Sequence, residues 1–144
     1  MNKIIAALGF VCIIASCDIR NSRQKNGTAD AAITDTTTVQ VIDTTYNFGT
    51  VTDGDKVEYS FRFRNTGAKP LVIESAVASC GCTVPEKPEH PVMPGETGFL
   101  KVVFNSKGRP GDVYKTITVK SNARPNFPLL QLRGNVKAAD KDSN

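Results

Sequence analysis

The chain has no tryptophan and a single histidine, His90, among its 144 residues. One imidazole excludes every metal motif built on two histidines, and the sequence holds neither a GxSxG nucleophile elbow nor a phosphate-binding glycine loop. These absences point away from an enzyme and from a bound cofactor. Charge is also modest: 18 basic side chains against 14 acidic ones leave a small excess, scattered rather than clustered. No run alternates arginine with aromatic residues, so nucleic acid is not an expected partner. No apolar run approaches the ~20 residues that a helix needs to cross a bilayer core. No long stretch keeps a helical period. Asp53 and Asp55 flank Gly54 without the further ligands of a calcium loop, and a turn between strands accounts for them.

What is present begins at the N-terminus. MNKIIAALGFVCIIASC carries one positive charge, Lys3, then an apolar stretch, then small residues, which is the layout of a secretory signal. Its last four residues, Ile14-Ala15-Ser16-Cys17, resemble the lipobox of bacterial lipoproteins, whose cysteine is diacylated and becomes the new first residue. Cys12 follows Gly9-Phe10-Val11, too bulky at a cleavage point, and leaves with the peptide. Residues 1–16 are therefore expected to be a lipoprotein signal peptide, with lipid attached at Cys17. Several acyl chains hold stably because each buried methylene contributes ~0.8 kcal/mol. The membrane is thus an expected partner through the N-terminal lipid, and the expected location is the bacterial cell envelope, on a periplasmic face or at the cell surface. From Asp18 the composition turns to Ser, Thr, Asn, Asp and Ala, which buries too little apolar surface to offset chain entropy. Residues 17–38 are read as the lipidated cysteine and a disordered tether reaching ~25 Å, and 138–144 as a disordered tail.

Beyond the tether the apolar period becomes two. In KVEYSFRFRN, Val57, Tyr59, Phe61 and Phe63 alternate with Glu58, Ser60, Arg62 and Arg64, as in a strand with one side on a core and the other in water. A turn signal, Asn65-Thr66-Gly67, precedes an extended run at 70–78 rich in β-branched residues. The segment 97–104 turns Leu100, Val102 and Phe104 inward, and 113–121 does the same with Ile117 and Val119. The segment 128–136 places Leu130, Leu132 and Val136 on the core and Gln131 and Arg133 outside. With 39–43 and 48–51 these make about seven strands, punctuated by Pro94-Gly95-Glu96, by Gly108 to Gly111 and by Asn122 to Asn126. The rhythm predicts an all-β immunoglobulin-like sandwich over residues 39–137, with a small barrel as its main rival. Lacking tryptophan and widely spaced cysteines, it cannot carry the intersheet disulfide of antibody domains.

The segments YNFGTV (46–51), FRFRNTGAKPLVI (61–73), SCGCT (79–83), PGE (94–96), KTITVKSNA (115–123) and LRGNV (132–136), in that order, resemble a bacterial envelope family catalogued as domain of unknown function fifteen-seventy-three. The resemblance covers nearly all of residues 45–136. It implies export and an immunoglobulin-like fold, distantly similar to sandwich modules of cilium-associated and chaperone-type proteins. It implies no reaction.

SCGCT places two thiols one residue apart. In an extended strand Cys80 and Cys82 would lie on one face ~6.6 Å apart, beyond the ~3.5–4.5 Å between Cβ atoms that a disulfide needs. Gly81 changes this by taking backbone angles closed to other residues and folding the pair into a tight turn. Three states stay open: an easily reduced disulfide in an oxidising compartment, two reduced thiols packed as small hydrophobes, and a catalytic redox pair, for which no helix N-terminus is evident. A fourth reading adds His90 and Met93 to Cys80 and Cys82 as soft ligands for cuprous ion. Two classes of function follow. The first is a non-enzymatic, lipid-anchored module whose loops or exposed edge strand contact another envelope protein or a glycan. The alternative is a thiol-redox or copper-handling envelope protein using the Cys-Gly-Cys motif.

Overall fold

A computed structural model describes residues 35–139, and every regular element in that span is a strand. The expected signal peptide, Cys17 and most of the tether and tail lie outside the described residues. Eight strands follow in chain order: β1 (Val39–Val41), β2 (Thr45–Thr52), β3 (Lys56–Asn65), β4 (Ile73–Ala78), β5 (Thr83–Glu86), β6 (Thr97–Asn105), β7 (Gly111–Ser121) and β8 (Leu130–Lys137). They form two four-stranded sheets, ordered β1-β3-β6-β5 and β2-β8-β7-β4. Neighbours run antiparallel except β2 and β8, which are parallel. Five links change sheets, and only β5–β6 and β7–β8 stay within one. The chain is thus laced between the layers, and their apolar faces are held together.

Alternation decides which face is buried. β3 turns Val57, Phe61 and Phe63 inward beside Leu100, Val102 and Phe104 of β6, and Ile117, Val119, Leu130 and Leu132 are the buried residues of the other sheet. Each large apolar side chain removed from water contributes ~1.5–3 kcal/mol. The core has two adjoining parts. One centres on Phe61, Phe63, Leu71 and Leu100. The other gathers Phe104, Val113, Leu132 and Val136, with Phe48 and Cys82 packed against it.

The structure adds a strand to the expected seven. β5, TVPE, contains Pro85, which weakens a strand signal. It stands at the edge of its sheet, where the missing N–H breaks no ladder bond. The boundary of the tether also moves. Thr37, assigned to the tether from composition, is only 3% exposed, and it bridges Ala123. Its hydroxyl donates to Asn65 Oδ1 at 2.9 Å, and Asn122 Nδ2 donates to the carbonyl of Asp35 at 2.9 Å. A polar residue is buried here without penalty because its partner is waiting in β3.

Candidate functional site

Residues 79–82 carry the chain from β4 in one sheet to β5 in the other. Both ends of this crossover are pinned by backbone: Ser79 N donates to Thr116 O at 2.9 Å and Asn105 N donates to Cys82 O at 2.9 Å. A third bond, from Thr83 N to Cys80 O at 3.2 Å, closes the turn itself. Within that turn the sulfurs of Cys80 and Cys82 are bonded to each other, with Cα atoms 5.4 Å apart. Both cysteines are half-buried, and Ser79 and Gly81 are exposed. Gly81 does not adopt a positive φ, so the unusual backbone angles expected of it are not what closes the turn.

Thr83 stands directly behind the sulfurs. It is 3% exposed, and its hydroxyl lies 3.7 Å from Cys80 Sγ and 3.9 Å from Cys82 Sγ. A disulfide sulfur carries no hydrogen, so Thr83 is the donor in both contacts. Sequence reasoning passed over this residue, although it closes the SCGCT motif.

The two other expected soft ligands are elsewhere. Met93 N donates to Glu96 Oε2 at 3.0 Å and Glu96 N donates to Met93 O at 3.0 Å, which fixes Met93 at the start of β6, whereas Cys82 is fixed at its end. At ~3.4 Å per residue, β6 holds these points roughly 30 Å apart. His90 lies in the exposed bend shortly before Met93. The four ligands are near in sequence, but the path of β5 along β6 separates them. No cluster of three or more His, Cys, Asp or Glu among the described residues is arranged to hold a metal.

Edge pairing, expected as a route to a partner, meets an obstacle at each of the four sheet edges. β1 has three residues, and β5 has Pro85 in place of a donor. The β2 ladder shifts register between Asn47 and Thr50, where Gly49 has φ 71°. At β4 the ammonium of Lys87 donates to the carbonyls of Ile73 at 3.3 Å and Glu74 at 3.2 Å. Short strands, proline, bulges and lysine are the devices that protect sheet edges from added strands.

The outward face of the sheet β1-β3-β6-β5 is less protected. Phe99 of β6 is 54% exposed and pairs in register with Arg62 of β3; Val84 of β5, also 54% exposed, pairs with Val103. Ile42, 46% exposed, donates its N–H to Arg62 O at 2.9 Å and so continues the row. Charges surround these groups. Arg62 Nε meets Asp43 Oδ2 at 2.8 Å, and Lys101 Nζ reaches Glu58 at 3.5 Å and Glu86 at 3.6 Å. The Arg62 side chain holds the Asp43 carboxyl below its ordinary range, against the opposing effect of burial. The alternation that turns Leu100 inward also turns Phe99 outward, and that signal was readable in TGFLKVVFN.

Two antiparallel-rich sheets packed face to face, with most links crossing between them, define an immunoglobulin-like β-sandwich. The chain belongs to the family described as "Protein of unknown function (DUF1573)", whose model matches residues 39–136. Among solved structures it is similar to a protein of unknown function from Porphyromonas gingivalis W83, with TM-score 0.60 and 16% identity over 70% of this chain. The chain spans 47% of that protein's length. It is also similar to the ASH/PapD-like domain 7 of human CEP192, with TM-score 0.56 and 14% identity, covering 73% of this chain and 89% of that one. At these identities the likeness speaks for fold alone. No curated protein matches the chain.

Proposed function

We propose that this is a non-enzymatic, lipid-anchored protein of the bacterial cell envelope whose sandwich docks another envelope protein through the outward face of β1-β3-β6-β5. The lipobox-like Ile14-Ala15-Ser16-Cys17 supports the anchor. The carrying observation for docking is Phe99, an aromatic side chain 54% exposed on a sheet face beside Arg62. Aromatic residues and arginine are enriched at protein interfaces, and here the ring shares one sheet face with the exposed Ile42 and Val84, so that it is part of a patch and not a lone exposed side chain. The blunted edges direct binding to the face rather than to strand addition.

Photo-crosslinking in cells tests this. A photoreactive residue in place of Phe99 is expected to give a discrete protein adduct that the same residue at Thr118, on the outward face of the other sheet, does not give. Identical adducts from both positions, or none from Phe99, would refute the docking face. A carbohydrate adduct at Phe99 would replace the protein partner with a glycan. Metabolic labelling with palmitate, lost in Cys17→Ser, tests the anchor separately.

A further inference from the structure

We propose that Cys80 and Cys82 are a reversible dithiol–disulfide couple, which exchanges with a dithiol of another molecule and uses the buried Thr83 hydroxyl to receive the departing sulfur. The bond is superfluous to the topology. It joins residues only two apart in sequence, and the constraint a disulfide places on an unfolded chain grows with the length of the loop it closes. The crossover is already held at Ser79 and Cys82 by backbone bonds to β7 and β6. What the disulfide does have is access, since both cysteines are half-buried and flank an exposed glycine.

Thr83 supplies the second, independent observation. A hydroxyl buried this deeply ordinarily finds an oxygen acceptor, yet its hydrogen-bond partners are the two sulfurs, at 3.7 and 3.9 Å. A neutral disulfide sulfur is a weak acceptor. A thiolate in the same place is charged, and hydrogen bonds to ionised partners are about twice as strong as neutral ones. The hydroxyl therefore favours the opened state over the closed one at the moment when the sulfur leaves.

The two sulfurs have different surroundings. Cys82 packs against the smaller core cluster, and Cys80 belongs to neither cluster. A thiolate of the incoming dithiol attacks Cys80 Sγ; the sulfur–sulfur bond breaks, and its electron pair goes to Cys82 Sγ, where Thr83 donates. The second thiolate of the dithiol then attacks its own sulfur in the mixed disulfide and expels Cys80 as thiolate. The dithiol has lost two electrons and two protons and is a disulfide; Cys80 and Cys82 have gained both and are thiols.

Titrating the folded, full-length protein with dithiothreitol and counting alkylated thiols by mass reads the couple directly. The expected result is that dithiothreitol adds two alkylated cysteines, Cys80 and Cys82, to the count seen before reduction, with an unchanged far-ultraviolet spectrum, and that the disulfide returns on adding oxidised dithiothreitol. Thr83→Val should open at least about tenfold more slowly, as expected for the loss of one hydrogen bond to a charged sulfur, and Thr83→Ser should keep the parent rate. A disulfide that resists the dithiol until the strands unfold overturns the proposal, and that measurement on the parent chain needs neither variant to fold. Equal rates for Thr83→Val and Thr83→Ser overturn the role of the hydroxyl.

Discussion

Asn65 commits every hydrogen-bonding atom of its side chain to three segments: the strand entry at Thr37, the turn at Gly67 to Lys69, and Val92 before β6. Nδ2 donates to the carbonyls of Lys69 and Val92 at 2.8 Å each, and Oδ1 accepts from the Thr37 hydroxyl at 2.9 Å and from Gly67 N at 3.1 Å. Asn122 plays a similar part on β7's exit, donating to Pro70 O at 2.9 Å and accepting from Val72 N at 2.9 Å. The NTG and SNA pieces, both within segments that carry the family resemblance, are thus knots in the architecture rather than reactive groups. Asn65→Ala would leave several buried partners unpaired, and a loss of about 3 kcal/mol is expected. Urea unfolding should show a lower midpoint at an unchanged slope; a loss within about 0.5 kcal/mol, the range of an ordinary surface substitution, would contradict this account. The burial of Asn65 was legible from its place in the alternation Val57, Phe61, Phe63. Its role was not, because its partners arrive from Thr37 and Val92, distant in sequence.

Among the elements, β2 and β8 show how two motifs explain one another. Gly134 of LRGNV sits on the same side of β8 as Leu132 and Val136, where a side chain is expected. The ring of Phe48 from YNFGTV occupies that space, and a Cβ at Gly134 would collide with the ring and with Gly49 O. Phe48 in turn stacks on Phe104 at 5.7 Å between ring centroids. Gly134→Ala is expected to cost about 1–3 kcal/mol through overpacking. Thermal unfolding measures it, and Phe48→Ala combined with Gly134→Ala should cost less than the two singles together, since removing the ring vacates the space. Most strands were legible from their alternation alone. β5 was hidden because its four residues are too few to show a period and one is proline. β2 begins at Thr45 rather than at residue 48, because its first residues are held by pairing with Gln131 and Leu132 and not by local apolar pattern.

For the molecule as a whole, acid stability turns on the place where the chain first passes between sheets. Asp43 lies between β1 and β2, is 14% exposed, and accepts from Arg62 Nε at 2.8 Å, Nη2 at 3.0 Å and the backbone N at 3.1 Å. Its folded pKa is lowered, chiefly by the hydrogen bonds of the Arg62 side chain. The contribution of the ionised form is therefore complete above the unfolded value of about 3.9 and is lost as pH falls through the lower folded value. The thermal midpoint should hold from neutrality to about pH 5 and decline below about pH 4. Asp43→Asn should start lower at neutral pH and decline less. A variant that tracks the parent at every pH would disprove this.

The sequence by itself determined which side chains face the core, because alternation along a strand is a local property written residue by residue. It also marked SCGCT and the NTG turn as special without saying why. Sheet order, the parallel β2–β8 pair, the docking of Thr37 and the placement of the sulfurs and Met93 at opposite ends of β6 were decided only by the tertiary structure. Those features depend on pairings between segments far apart in the chain, for which no local signal exists.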